Sequence, residues 1–193
     1  MPKRARAKSP PRILELRIAL QDIAPEIWRQ VLVPDAFTLD EVHRVIQECF
    51  GWLDYHLYSF LLDGVEYEAP HEDAEGRDAT RTSLASLALQ PDSRLEYTYD
   101  FGDNWVHDIR LVATHAPHPD VPYPWCVDGA RAGPPEDAGG SPGYTDLLRS
   151  LADPTDSEFL ASRTWVGAHF HPDTFDLRAT NRILMLAFPA RAR

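Results

Sequence analysis

The segment Tyr97-Thr98-Tyr99-Asp100-Phe101-Gly102-Asp103-Asn104-Trp105-Val106-His107 gathers carboxylates, an amide and an imidazole where two aromatic runs meet. Asp100, Asp103, Asn104 and His107 fall within eight positions, a spacing suited to metal ligation or to an acid–base pair. The same residues have a plainer use. Asp, Gly and Asn tolerate left-handed backbone and form Asx turns, so the turn needs no ligand to account for it. A second polar loop follows at Pro134-Pro135-Glu136-Asp137-Ala138-Gly139-Gly140. Its prolines stiffen the chain and its glycines permit close backbone approach, so Glu136 and Asp137 sit where the loop is held. Carboxylates so held either bind a cation or dock the loop on arginines of the body, with Arg29 and Arg110 the candidates.

Two histidines extend the set. His107 shares a strand face with Trp105, Ile109 and Leu111, and His56 alternates in phase with Tyr58, Phe60 and Leu62. Both imidazoles thus point where apolar residues point. They are either core histidines satisfied by a carbonyl or carboxylate, or the lining of a pocket near Asp100 and Asp103. The candidate site comprises His56, Asp100, Asp103, Trp105, His107, Glu136 and Asp137, and Trp52, Phe101 and Trp105 are expected to be largely buried. The spacing names no metal, cofactor or catalytic role, because neither histidine belongs to a His-x-x-x-His pair. Asp100-Phe101-Gly102 matches a kinase metal-binding triplet, but no glycine-rich loop, catalytic loop or Val-Ala-Ile-Lys strand accompanies it. No P-loop, Rossmann fingerprint or Gly-x-Ser-x-Gly elbow occurs, and Cys49 and Cys126 have neither zinc nor redox spacing. His169 and His171 read most simply as part of an inter-helix loop.

The elements that must position these groups follow from periodicity. Residues 12–20 alternate as a half-buried strand, and Ile27 to Val33 reads as a second strand that Pro34 ends. Thr38-Leu39-Asp40-Glu41 matches a capping box, with Leu39, Val42, Val45, Ile46 and Cys49 at helical spacing and Gly51 as the stop. His56 to Leu62 and Val65 to Glu68 flank Asp63-Gly64, a strong hairpin signal. Residues 69–80 read as polar loop, and Ser83 to Leu89 as a helical turn or two. Leu95 to Asp100 and Trp105 to Thr114 supply the strands around the acidic turn. Residues 115–142 hold seven prolines and four glycines, which argues against regular structure there. Helices are expected at Tyr144 to Ala152, Asp156 to Trp165 and Leu177 to Ala187, the last capped by Asp176. Strands first and helices last predict an α+β fold, a mostly antiparallel sheet with an early helix and a C-terminal group of helices packed on it.

Charge divides the chain unevenly. Residues 1–12 carry Lys3, Arg4, Arg6, Lys8 and Arg12 and no acid, whereas the other 181 residues carry 14 basic and 30 acidic side chains, for a total of −11. The plain reading is a disordered basic tail at 1–12 before one domain at 13–193. A body this acidic repels a phosphate backbone, so nucleic acid is expected to meet the chain only weakly and through the tail. No apolar run approaches the ~20 residues of a membrane span, and the N-terminus lacks the apolar middle of a secretory signal. Two cysteines make a poor disulfide framework, so reduced thiols and a cytoplasmic location are expected.

Taken in order, these residues resemble the plasmid pRiA4b ORF-three-like domain family, whose relatives also occur as passenger proteins of insertion elements. The resemblance rests on Ile27-Trp28-Arg29, on Gly51-Trp52 with His56-Leu57 and Phe60, and on Tyr99-Asp100-Phe101-Gly102-Asp103 with Trp105 and His107. It also rests on Pro134-Pro135-Glu136-Asp137 with Gly139-Gly140 and Gly143-Tyr144, and on Phe175-Asp176 with Asn181. The resemblance implies a biochemically uncharacterised protein with an association to mobile DNA. Relatives often carry extra cysteines around the second loop, where Gly133 and Ala138 stand here, so the resemblance does not extend to a thiolate metal site. The expected role is a binding or accessory module with one acidic, aromatic site. The alternatives are a metal-dependent, hydrolase-like enzyme built on the candidate residues, and a mobile-element accessory protein that meets nucleic acid through residues 1–12.

Overall fold

The structure, a computed structural model, describes residues 11–189. The basic tail expected at 1–12 lies almost wholly outside the described residues. Eight strands form one sheet: β1 (Ile13–Leu20), β2 (Trp28–Pro34), β3 (Tyr58–Leu62), β4 (Val65–Glu68), β5 (Arg77–Asp78), β6 (Arg94–Tyr99), β7 (Trp105–His115) and β8 (Trp125–Ala130). Their order is β5-β4-β3-β6-β7-β1-β2-β8, and every pair is antiparallel except the short β4–β5 pair. Five helices accompany them: α1 (Leu39–Phe50), α2 (Leu84–Leu87), α3 (Gly140–Ala152), α4 (Phe159–Val166) and α5 (Leu177–Ala187). The fold is α+β, as the order of elements predicted.

Local chemistry explains the early elements. Thr38 caps α1 by accepting from Glu41 N–H at 3.2 Å, while the Glu41 carboxylate accepts from Thr38 N–H at 2.9 Å. Gly51 ends the helix in left-handed backbone, at φ 82°. Asp63 and Gly64 both take positive φ, the geometry of a two-residue hairpin turn whose twist matches the strands.

One face of the sheet is aromatic and covered, and the other is polar and half-exposed, as expected for an antiparallel sheet with a single core. Register aligns Phe60 with Tyr97 and His107 in one row, and Tyr58 with Tyr99 and Trp105 in the next. Leu39, Val42, Val45, Ile46 and Phe50 of α1 bury against this face. Glu15, Arg17, Glu96, Asp108 and Arg110 lie on the opposite face. Burying Trp105 and Tyr97 completely, each worth roughly 1.5–3 kcal/mol or more of apolar transfer, makes this hairpin the rigid centre of the molecule.

Three sequence expectations fail here. Regular structure does occur within 115–142, because β8 completes its hydrogen bonds on the open edge of β2. The Asn181 amide of α5 adds two bonds of 2.8 Å to the Cys126 backbone. A short strand, β5, also interrupts the polar run 69–80. Phe101 is 50% exposed, since it sits in the turn beyond the end of β6, where no layer covers it.

Candidate functional site

The acidic turn is built before anything binds to it. Asp100 and Asn104 both take left-handed backbone, and Asn104 N–H donates to Asp100 O at 2.6 Å to close the loop. The Asp100 side chain turns back on its own turn, where Oδ1 accepts from Gly102 N–H at 2.9 Å and Asp103 N–H at 3.3 Å. That is an Asx turn, the plainer reading of these residues. It leaves Oδ2 free to point elsewhere.

The second loop packs directly beside it. Gly139 N–H donates to Asp103 Oδ2 at 2.9 Å, and a Cβ on Gly140 would stand 2.3 Å from Asp103 O. Gly140 also has φ +66°, so both backbone shape and contact require glycine at the point where the loops touch. Trp52 Nε1–H donates to Pro134 O at 2.9 Å. Glu136 clips three segments together: Oε1 accepts from Leu53 N–H at 2.7 Å and from the Tyr99 hydroxyl at 3.0 Å. Burial, helped by the neighbouring Glu136 carboxylate, raises the Tyr99 pKa, so the phenol stays a proton donor.

Into this junction comes His56, from the segment that joins α1 to β3. The residue precedes β3 and does not share its alternation, so its ring faces the loops and not the core. Leu57 O accepts from Asp100 N–H at 2.9 Å, which anchors the segment to the turn. His56 Nε2 lies 3.2 Å from Asp137 Oδ1 and 3.5 Å from Asp100 Oδ2. One ligand atom from each of His56, Asp100 and Asp137 lies within 4.8 Å of the other two. The Nε2 atom is buried and makes no hydrogen bond, although the Asp137 side chain is 70% exposed. Among the described residues, His56 is the sole ion-pair partner of both carboxylates.

The arginines expected to compensate these carboxylates do not reach them. Arg29 is buried against Phe50 and Phe175, bonded to three carbonyls, and Arg110 lies on the polar face of the sheet opposite Arg17 and Arg94. The other candidates separate by role. Asp103 and Glu136 join the loops, and Trp105 and His107 are core residues with no exposure. His107 packs edge-on against Phe50 and Trp52, and burial depresses its pKa to about 3.

A model for the plasmid pRiA4b ORF-3-like protein family matches residues 12–179. The chain belongs to that family. It is 33% identical over 159 residues to the uncharacterized protein y4hQ of Sinorhizobium fredii (strain NBRC 101917 / NGR234), covering 81% of each chain. It also resembles the crystal structure of MM3350, a protein of unknown function from Methanosarcina mazei Go1, with a TM-score of 0.82 and 32% identity. That match covers 88% of this chain and 98% of the other. The cysteine that family resemblance places near position 133 has no room here, because a Cβ on Gly133 would lie 2.1 Å from Phe50 O.

A second polar network beside the aromatic row of the sheet escaped the sequence reading. His43 Nδ1 lies 2.8 Å from the Tyr97 hydroxyl and Nε2 lies 2.9 Å from Asp54 Oδ1, while the ring stacks on Tyr58 at 3.7 Å. Burial lowers the His43 pKa and Asp54 opposes that shift. The signal was present: residues 39, 42, 43 and 46 trace the buried stripe of α1, and His43 stands on it. A cleft of about 530 Å³ opens beside Asp137 between its loop, α3 and α4, lined by Asp146, Ser150, Asp156, Glu158 and Trp165.

Proposed function

We propose that this protein is a binding module whose site takes a divalent metal cation between His56 Nε2, Asp100 Oδ2 and Asp137 Oδ1. One observation carries the reading: a buried ring nitrogen without a hydrogen bond faces two carboxylates that no arginine balances. Two carboxylates around one imidazole are stable only with a proton or a cation to offset their repulsion. Ligand atoms about 2.0–2.2 Å from a tetrahedral zinc stand roughly 3.3 Å apart, and the Nε2–carboxylate distances of 3.2 and 3.5 Å match that edge. Asp100 is positioned by its own turn, and the Glu136–Tyr99 clip holds Asp137 in range.

Three protein ligands would leave a coordination position open, and Asp137 also lines the neighbouring cleft. This supports a second reading, a metal-dependent hydrolase in which a cation-bound water is the nucleophile. The first test is elemental analysis of purified protein, followed by calorimetric titration with zinc and manganese. Wild-type protein should bind one equivalent, and His56→Ala or Asp137→Asn should weaken binding at least roughly 10-fold. Equal binding by wild type and both variants would remove the site. Metal-dependent turnover of ester, phosphoester or peptide substrates, lost in Asp137→Asn, would favour the hydrolase. The mobile-element reading concerns residues 1–12 and draws no support from the acidic body.

A further inference from the structure

Away from the carboxylate site, α5 packs on β8, the edge strand at one end of the sheet, and a groove of about 380 Å³ lies between them. Its floor is fixed by Asn181, whose amide accepts from Cys126 N–H and donates to Cys126 O, both at 2.8 Å. That side chain is spent on the fold. Trp125 and Val127, on one face of β8 by alternation, and Leu177 and Met185 of α5 supply the apolar lining. The span from Leu177 to Met185 is about 12 Å of helix axis. Volume and length are those of a small-molecule pocket, at the low end of the usual range of roughly 300–1,000 Å³.

The polar groups of the groove are two arginines, Arg178 and Arg182, one turn apart on α5. Both are exposed, and among the described residues neither has a hydrogen bond, an ion pair or an aromatic face. Elsewhere Arg12, Arg17, Arg94, Arg131 and Arg149 each pair with an acid, and Arg163 holds two carbonyls. Left alone, the pair is unfavourable. Like charges at i and i+4 repel, and Arg178 stands in a first turn that holds no acid, where the macrodipole disfavours a cation. Asp176, the acid nearest in sequence, caps the helix through Ala179 N–H at 2.9 Å. An anion between the two guanidiniums relieves both costs. Side chains one turn apart start about 5–6 Å from each other, so both planar forks can reach one carboxylate. The net charge of −11 repels a dianion more than a monoanion, which favours a carboxylate over a phosphate.

We propose that this groove is a second ligand site, for a small organic carboxylate. Arg178 and Arg182 clamp its head, and its aromatic or aliphatic body lies on Trp125, Leu177 and Met185. The site shares no residue with the cation site and does not depend on it.

The test is calorimetric titration of the full chain with naphthoate, beside naphthamide, which keeps the body without the charge, and acetate, which keeps the head without the body. Naphthoate should bind one equivalent, at least roughly 10-fold more tightly than either of the others. Amide shifts on its addition should cluster at Trp125, Val127 and residues 177–185. Arg178→Gln and Arg182→Gln should each weaken binding about 10-fold, with the melting temperature unchanged or raised because a repelling pair is gone. Naphthamide binding as tightly as naphthoate, no saturable uptake of naphthoate, or shifts clustered elsewhere would each overturn the proposal. So would a melting temperature that falls in both glutamine variants, since the arginines would then be structural.

Discussion

Asp100 and Asp137 face the same imidazole but are held by different means, and that difference predicts opposite behaviour. Asp100 is buried with one oxygen committed to two backbone N–H groups, whereas the Asp137 side chain is 70% exposed and faces only His56. Asp100→Ala should therefore cost about 1–3 kcal/mol in urea unfolding, since the turn's N–H groups lose their acceptor. Asp137→Asn should be neutral or slightly stabilising without metal, because it removes one of two like charges, and should weaken cation binding. A loss of stability in Asp137→Asn equal to that in Asp100→Ala would make both carboxylates structural. The remaining acids were legible as a group but not by role. Asp103 and Glu136 look no different in sequence from Asp137, yet their oxygens are occupied by Gly139 N–H, Leu53 N–H and Tyr99 OH.

Among the elements, α3 and the loop before it decide whether a site exists. The loop meets the β6–β7 turn at Gly140, with Asp103 O against the place a side chain would begin. Gly140→Ala should destabilise the protein by ~1–3 kcal/mol through positive φ and the contact, and should push the Asp137 loop off His56. Cation affinity should then fall in parallel with the unfolding midpoint. A variant as stable as wild type with unchanged affinity would show that the junction tolerates a Cβ and that Gly140 is only a helix start. The capping box of α1 and the Asp63-Gly64 turn needed no such long-range partner, which is why their residue pattern alone identified them.

For the whole molecule the covered face carries two neutral imidazoles, and this sets its response to acid. Burial lowers the pKa of both His107 and His43, the former from 6.5 to about 3. Below pH 6.5 the unfolded chain takes up a proton at position 107 that the folded protein refuses until about pH 3. Stability is thus full above pH 6.5 and is lost as pH falls toward 3, with a slope of up to ~1.4 kcal/mol per pH unit for this one group. Urea midpoints measured from pH 7 to pH 4 should fall steeply in wild type and less steeply, by close to one proton, in His107→Gln. Identical slopes would assign the acid sensitivity to other groups, His43 first. No helix among the described residues is long and apolar enough to cross a membrane.

By itself the sequence determined what short-range physics controls. The strand alternation of β1, the capped helix α1, the Asp63-Gly64 hairpin, the β6–β7 aromatic hairpin and the Asp176-capped α5 all depend on neighbours within a few positions, or on a period of two or 3.6 residues. It also identified the two loops that form the candidate site, because acids among glycines and prolines stand out. Tertiary structure alone decided the rest. β8 exists because β2 offers it an unpaired edge, and Phe101 is exposed because nothing covers the end of the hairpin. His56 left the core face because its segment is pinned to the Asp100 turn, and His107 stayed there because its strand register gives it no alternative. Arg29 meets three backbone carbonyls and two aromatic rings where a carboxylate was expected. Each of these outcomes depends on partners far apart in sequence, which only chain closure brings into contact.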